Sequence, residues 1–268
     1  MHGCGNDYIY FSGMRGRMAD PHAMDLFTLC DRHKGIGGDG IVVVLPSEIA
    51  HGRMLMFNAD GSEGAMCGNA IRCVAKLLYD EQVAPAEMTI ETASGIKSIT
   101  VFADKHIAHS ARVDMGKAIL APAQIPVELD GEAVINREYN GHRITCVSMG
   151  NPHAVIFMDE IDGLDLEALG PPMENAPIFP DRVNTEFVQI IARNHIKMRV
   201  WERGSGETMA CGTGACAAAA AAVLNGHCDM DKDITVDLRG GSLTIKYTQD
   251  TVWMTGECVK VFEGTVDV

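Results

Sequence analysis

Two cysteines stand out by their surroundings. Met66-Cys67-Gly68-Asn69-Ala70-Ile71-Arg72-Cys73 and Ala210-Cys211-Gly212-Thr213-Gly214-Ala215-Cys216 each join a cysteine to a glycine and a small polar residue, then run into a helical stretch. Similar segments lead in, Gly61 to Met66 and Gly204 to Met209, and the cysteines are 144 positions apart (211 − 67). A thiol at a helix start feels the positive end of the helix dipole, which is expected to lower its pKa and favour thiolate. The same end presents backbone N–H groups suited to a carboxylate. A carboxylate held there, with a thiol on either face of its α-carbon, describes inversion of a stereocentre. A base takes the proton from one face and an acid returns one to the other, with no cofactor. His153 and Glu202 are placed to tune the thiols by hydrogen bond or charge. Their plainer readings are a turn histidine packing its ring and, with Arg203, a solvated ion pair at a strand end.

A second pair of stretches keeps nearly the same spacing. Gly5-Asn6-Asp7-Tyr8 runs into Phe11, and Gly150-Asn151-Pro152-His153 into Phe157, with 145 positions from Gly5 to Gly150 (150 − 5). Two motif pairs at one offset point to an internal duplication. The elements expected around them are a helix over Ala23 to His33 and strands over Ile41 to Leu45, Met54 to Phe57, Ile144 to Met149 and Ala154 to Met158. A hairpin is expected about Arg193-Asn194, and late strands over Ile234 to Leu238, Ser242 to Tyr247, Val252 to Met254 and Val259 to Phe262. Ile71, Val74, Ala75 and Leu78 recur at helical spacing, so the helix after Cys67 buries that face. The helix after Cys211, Ala215 to Leu224, is alanine-rich and suited to a buried centre, with Asn225-Gly226 closing it. A helix over Leu164 to Leu169 is expected to stop at Gly170-Pro171-Pro172. Gly35-Ile36-Gly37-Gly38-Asp39-Gly40 spells a dinucleotide fingerprint, but the helix precedes it and the strand follows, the reverse of what that fold needs. A tight turn approaching a ligand is expected instead. Ala118 to Pro126 reads as the link between halves. The expected fold is α+β, mostly antiparallel and built twice: residues 1–117 and 118–256, with 257–268 returning to the first half.

A formal net charge of −14 with scattered Lys and Arg argues against nucleic acid or a membrane surface as partner. No signal segment and no apolar run approaching the roughly 20 residues of a membrane span are evident. Nine cysteines, an odd number without a framework, read as reduced thiols in a cytoplasmic protein. Their spacings do not suit a zinc knuckle, so no metal is expected.

With these motifs, and with Asn58 to Glu63, Asn184-Thr185-Glu186-Phe187 and Trp201-Glu202-Arg203-Gly204, the chain closely resembles the diaminopimelate epimerases. The resemblance implies two similar pseudo-symmetric domains, each a sheet around a central helix, with the active site in the cleft between them. It implies cofactor-independent epimerisation of L,L-diaminopimelate to meso-diaminopimelate, in lysine and peptidoglycan precursor synthesis, usually by a homodimer. Cys67 and Cys211 match the acid–base thiols, and His153 and Glu202 the residues that modulate them. Asn6, Asn58, Gly68, Asn69, Asn151, Asn184, Glu202, Arg203, Gly212 and Thr213 match substrate-binding positions, with Arg203 suited to the distal carboxylate. The chain departs from the commoner pattern at Gly40 and Ala70. The nearest alternative is a racemase of another amino acid built on the same two thiols; a non-enzymatic thiol or metal-binding protein is the more distant one.

Overall fold

In the computed structural model, which describes residues 1–16, 18 and 20–267, the chain divides into two units. One comprises Met1–Asp114 with the segment from Thr255 onward; the other is Met115–Met254.

In the first unit, β1 (His2–Gly3) and β2 (Asn6–Ser12) form a tight antiparallel pair. The turn needs left-handed backbone at Cys4 (φ 53°) and Gly5 (φ 77°), which glycine adopts without strain. β2 runs parallel to β3 (Gly40–Leu45), and β3 antiparallel to β4 (Gly52–Asn58). β4 pairs antiparallel with the short β5 (Glu63–Gly64) and parallel with β6 (Glu87–Thr92). β7 (Gly95–Asp104) and β8 (Ile107–Asp114) complete an antiparallel meander. Alternation sends Ile41 and Val43 to a core with Met24, Leu29 and Phe57, and Val42 and Val44 to the opposite face.

The first helix, α1, covers only Leu26–Cys30, not Ala23 to His33. Asp25 caps its start through Thr28 N–H, and Asp31 turns extended, so the apolar spacing there serves a single turn and a half. α2 (Gly68–Asp80) is the central helix, and Ile71, Val74, Ala75 and Leu78 are buried as their spacing requires. Arg72, Cys73 and Lys76 are buried as well. Arg72 donates to Gly68 O and Asn69 Oδ1, each at 3.0 Å, and to Glu257 O at 3.2 Å. Lys76 donates to Ala108 O at 2.5 Å and Asp80 Oδ2 at 2.7 Å. Hydrogen-bond partners from distant segments thus let two cations lie inside a helix that its own sequence marks as amphipathic.

The second unit repeats the plan. β10 (His142–Ser148) pairs antiparallel with β9 (Arg137–Tyr139) and with β11 (Pro152–Phe157), the latter across Gly150 (φ 97°). β11 is parallel to β12 (Asn184–Ala192), which is antiparallel to β13 (His195–Glu202). β13 takes β14 (Gly206–Glu207) antiparallel and β15 (Asp233–Leu238) parallel, and β16 (Gly241–Tyr247) folds back on β15. These are the relationships of β2 through β7 in the same order. α3 (Leu166–Glu174) runs through Pro171 and Pro172 instead of stopping at them. Its far end is anchored from outside. Glu174 accepts from Trp201 Nε1 at 2.7 Å, Gly204 N at 2.9 Å and Arg182 Nη1 at 3.0 Å, while Asn175 returns two bonds to Pro171 O. α4 (Gly212–Leu224) is the counterpart of α2, with Ala217 through Ala222 all fully buried.

Ala118 to Pro126, expected as a link, belongs to the second unit, where Ile119 exchanges both backbone hydrogen bonds with Ser148. The expected strand over Val259 to Phe262 is reduced to one bridge, His2 to Val259. The glycines of Gly35 to Gly40 are crowded by the chain itself. A Cβ on Gly35 would meet Thr28 O, and one on Gly40 would meet Phe57 O and the Tyr8 ring.

Candidate active site

Each unit carries a cysteine cluster at the start of its central helix. Cys67 occupies the N-cap position of α2 in extended backbone, φ −127° and ψ 124°; Cys211 does the same for α4, φ −114° and ψ 111°. The first turn of each helix leaves N–H groups without intrahelical acceptors, and these belong to the glycine and the small polar residue that follow each cysteine.

In the first unit, Cys67 is partly exposed and its thiol donates to Asn6 Oδ1 at 3.3 Å. Asn69 Nδ2 reaches the same oxygen at 3.4 Å. Asn6 is held in this orientation by its other end, which donates to Asp39 Oδ2 at 2.7 Å. Arg32 bridges Asp39 and Asp7 and so fixes the carboxylate that fixes Asn6. Asn58 lies at the end of β4, donating to Ser62 Oγ at 3.0 Å. Gly68 and Asn69 are buried in the first helical turn. Cys67, Gly68, Asn69 and Asn6 thus form one contiguous cluster. Asp39 was not foreseen; its only sequence signal is a charge inside a glycine-rich turn.

In the second unit, Cys211 is buried and accepts from Gly214 N at 3.4 Å, with Thr213 Oγ1 at 3.5 Å. Burial pushes its thiol well above the ordinary range, with the charges of Glu202 and Glu186 adding to the rise against the smaller pull of Thr213 and Gly214. The helix-start expectation of a lowered pKa therefore fails for Cys211: desolvation and two carboxylates outweigh the dipole. Glu202 is itself raised by burial, against hydrogen bonds from Thr208, at 2.5 Å, and Cys211.

His153 is fully buried on β11, with Nδ1 2.7 Å from Glu186 Oε1 and Nε2 3.1 Å from Asn151 Oδ1. Asn151 Nδ2 faces Thr213 Oγ1 at 3.4 Å, which ties the Gly-Asn turn to the helix start. Asn184 is buried, and both ends of its amide bind backbone, Pro152 O at 3.2 Å and Arg203 N at 2.8 Å. It joins β11 to the end of β13. Arg203 donates one Nη1 to Asp181 O at 2.7 Å. Glu186 was missed as part of this site. The signal was present in the sequence: a carboxylate in the middle of a run otherwise fit for a buried strand. Among the described residues, no group of three or more His, Cys, Asp or Glu is arranged to hold a metal ion, and no helix is long and apolar enough to cross a membrane.

A duplicated α+β chain with a cysteine capping each central helix shares its architecture with a probable proline racemase from Agrobacterium radiobacter. The TM-score is 0.66 at 17% identity, over 96% of this chain and 88% of that one. At that identity the likeness concerns the fold. The diaminopimelate epimerase family model matches residues 1–121 and 145–261. A diaminopimelate epimerase from Agathobacter rectalis is 49% identical, covering 100% of this chain and 98% of its own. Another from Desulfovibrio desulfuricans is 49% identical over 98% of this chain and 96% of its own. The chain belongs to the diaminopimelate epimerase family and is an isomerase.

Proposed function

We propose that this chain interconverts L,L- and meso-diaminopimelate by passing a proton across one α-carbon between Cys67 and Cys211, supplying lysine and peptidoglycan precursor synthesis. The observation that carries this reading is the repeated helix start: two cysteines at the same cap position of two equally built halves. The relatives' activity gives the substrate.

In this reading both helix starts act on one substrate. Its reacting carboxylate takes N–H groups from Gly68-Asn69 and Gly212-Thr213, where the helix starts favour negative charge. That charge grows as the α-proton leaves, so these donors bind the transition state more tightly than the substrate. Cys211, with its raised proton affinity, starts as the thiol. In the direction that begins with Cys211 as acid, Cys67 is the base. The α-hydrogen goes to Cys67 sulfur, its electron pair stays on the carbon, and the Cys211 proton arrives on the other face. The reverse reaction exchanges the roles. Arg203 keeps part of its guanidinium fork for the distal carboxylate.

Proton NMR in deuterated water tests this. Deuterium is expected at one α-position of L,L-diaminopimelate as the meso form accumulates. Exchange with another amino acid but not with either diaminopimelate isomer overturns the substrate. Activity lost on exhaustive chelation and restored by metal overturns the two-thiol mechanism.

A further inference from the structure

The second cysteine cluster contains a buried charge that its duplicate does without. Strand register pairs Val155 with Glu186 between β11 and β12, and Tyr10 with Val42 between β2 and β3. Glu186 and Val42 therefore hold equivalent places, and both are fully buried. The fold has been built once with a plain aliphatic side chain there, so the carboxylate is not a requirement of packing. A buried carboxylate is costly unless hydrogen bonds and a partner stabilise it. Glu186 has one hydrogen-bonded oxygen, Oε1, while Oε2 is buried with no hydrogen-bond partner among the described residues.

Two neighbouring positions change together with it. His153 stands where the first half has Tyr8, as their pairing with Asn184 and Gly40 shows. Gly214 stands where the first half has Ala70, each the third residue of its helix. A Cβ at Gly214 would lie 2.7 Å from Glu186 Oε1. The second half thus has a carboxylate, an imidazole to bind it and a glycine that makes room for it; the first half has Val42, Tyr8 and Ala70 at these places.

The proton count follows from the contacts. Asn151 points its amide nitrogen at Thr213 and therefore its oxygen at His153 Nε2. His153 Nδ1 faces a carboxylate oxygen. Both ring nitrogens meet acceptors, yet a neutral imidazole has a single N–H. With Asn151 in this orientation Nε2 carries the ring N–H, and the 2.7 Å contact between Nδ1 and Glu186 Oε1 calls for a second proton there. We propose that Glu186 is a positioning residue of the acid–base site: it shares a proton with His153 Nδ1, fixes Nε2–H on Asn151, and so holds Asn151 and Thr213 in place beside Cys211. Besides Glu186 on β12, the titratable groups around this pair are Cys146 on β10, Glu202 on β13 and Cys211 at the start of α4. Of these, Glu202 and the ring act on each other directly.

This inference rests on the epimerase reading, and two variants with separate readouts keep the two apart. Glu186→Gln keeps the volume and removes the shared proton; Glu186→Val copies the first half. Nitrogen NMR of the His153 ring is expected to show both nitrogens protonated or sharing a proton in the wild type at neutral pH, and one N–H in each variant. Turnover is expected to fall about tenfold to a hundredfold, part of the roughly 10²–10⁴ that a placed acid–base group supplies. KM should change less than kcat. A wild-type ring with a single N–H overturns the proposal. So does a folded E186Q variant with wild-type kcat, whatever becomes of E186V. If the wild type exchanges no α-proton of diaminopimelate, the epimerase reading fails, and the ring NMR still decides the role of Glu186.

Discussion

The two helix starts share a backbone and differ in nearly every side chain around the thiol. α2 and α4 are each 13 residues long and each begins directly after its cysteine. The Cys67 thiol, partly exposed, donates to the neutral amide of Asn6, which Asn69 also reaches. Around Cys211 lie Glu202, Glu186 and Thr213, and the thiol is buried. Deeper in, α2 buries Arg72 and Lys76 where α4 buries Cys216 and Ala220. The duplication kept the cap position of each cysteine, while the residues around the two thiols diverged. Burial, with Glu202 and Glu186, raises the Cys211 thiol; no carboxylate lies among the hydrogen-bond partners described for Cys67.

The largest test of this comparison is the pair Cys67→Ser and Cys211→Ser. Despite their unlike surroundings, each should slow α-deuteration by 10²-fold or more, because a serine hydroxyl is a far weaker base near neutral pH. A variant that keeps wild-type exchange would show that one half is a structural copy only. Next is Arg72→Met. It removes the guanidinium bonds to Gly68 O, Asn69 Oδ1 and Glu257 O while relieving the buried charge; a net loss of about 1–3 kcal/mol is expected in urea unfolding.

Glu202→Gln sharpens the contrast between the thiols. It removes a negative charge that raises Cys211, so Cys211 should form thiolate at lower pH than in the wild type. Iodoacetamide labelling followed by peptide mapping should show its alkylation beginning at lower pH, with Cys67 unchanged and turnover slower by about tenfold. The smallest effects belong to Cys73→Ala and Cys216→Ala. Both thiols are fully buried inside their helices, and each loss should cost about 1 kcal/mol with turnover unchanged. Abolished turnover in a folded Cys73→Ala protein would reverse the assignment of the first-half thiol.

Much of the frame was legible in local signals. Cys-Gly followed by a small residue marks both helix starts, and Gly-Asn marks both left-handed turns. The repeat spacing reveals the duplication without any knowledge of the sheet. What was hidden depends on segments far apart in sequence. The helical run through Pro171 and Pro172 depends on Trp201, Arg182 and Gly204 meeting Glu174. The raised proton affinity of Cys211 depends first on its burial, and then on strands β12 and β13 delivering two carboxylates to a helix start. Burial of Arg72 depends on a carbonyl 185 residues away. Local spacing marks where such a residue sits on its element; only the distant partner says what it is worth there.

The return of the segment from Thr255 to the first unit has a consequence for synthesis on the ribosome. The second unit is one continuous stretch, Met115–Met254, and leaves the exit tunnel whole. The first unit begins earlier and is completed later: His2 waits for Val259 to pair with, and Arg72 Nε for the carbonyl of Glu257. When Met254 has just cleared the tunnel, every residue of the second unit is free to fold while the first unit still lacks these closing bonds, so the half translated first is the half that locks last.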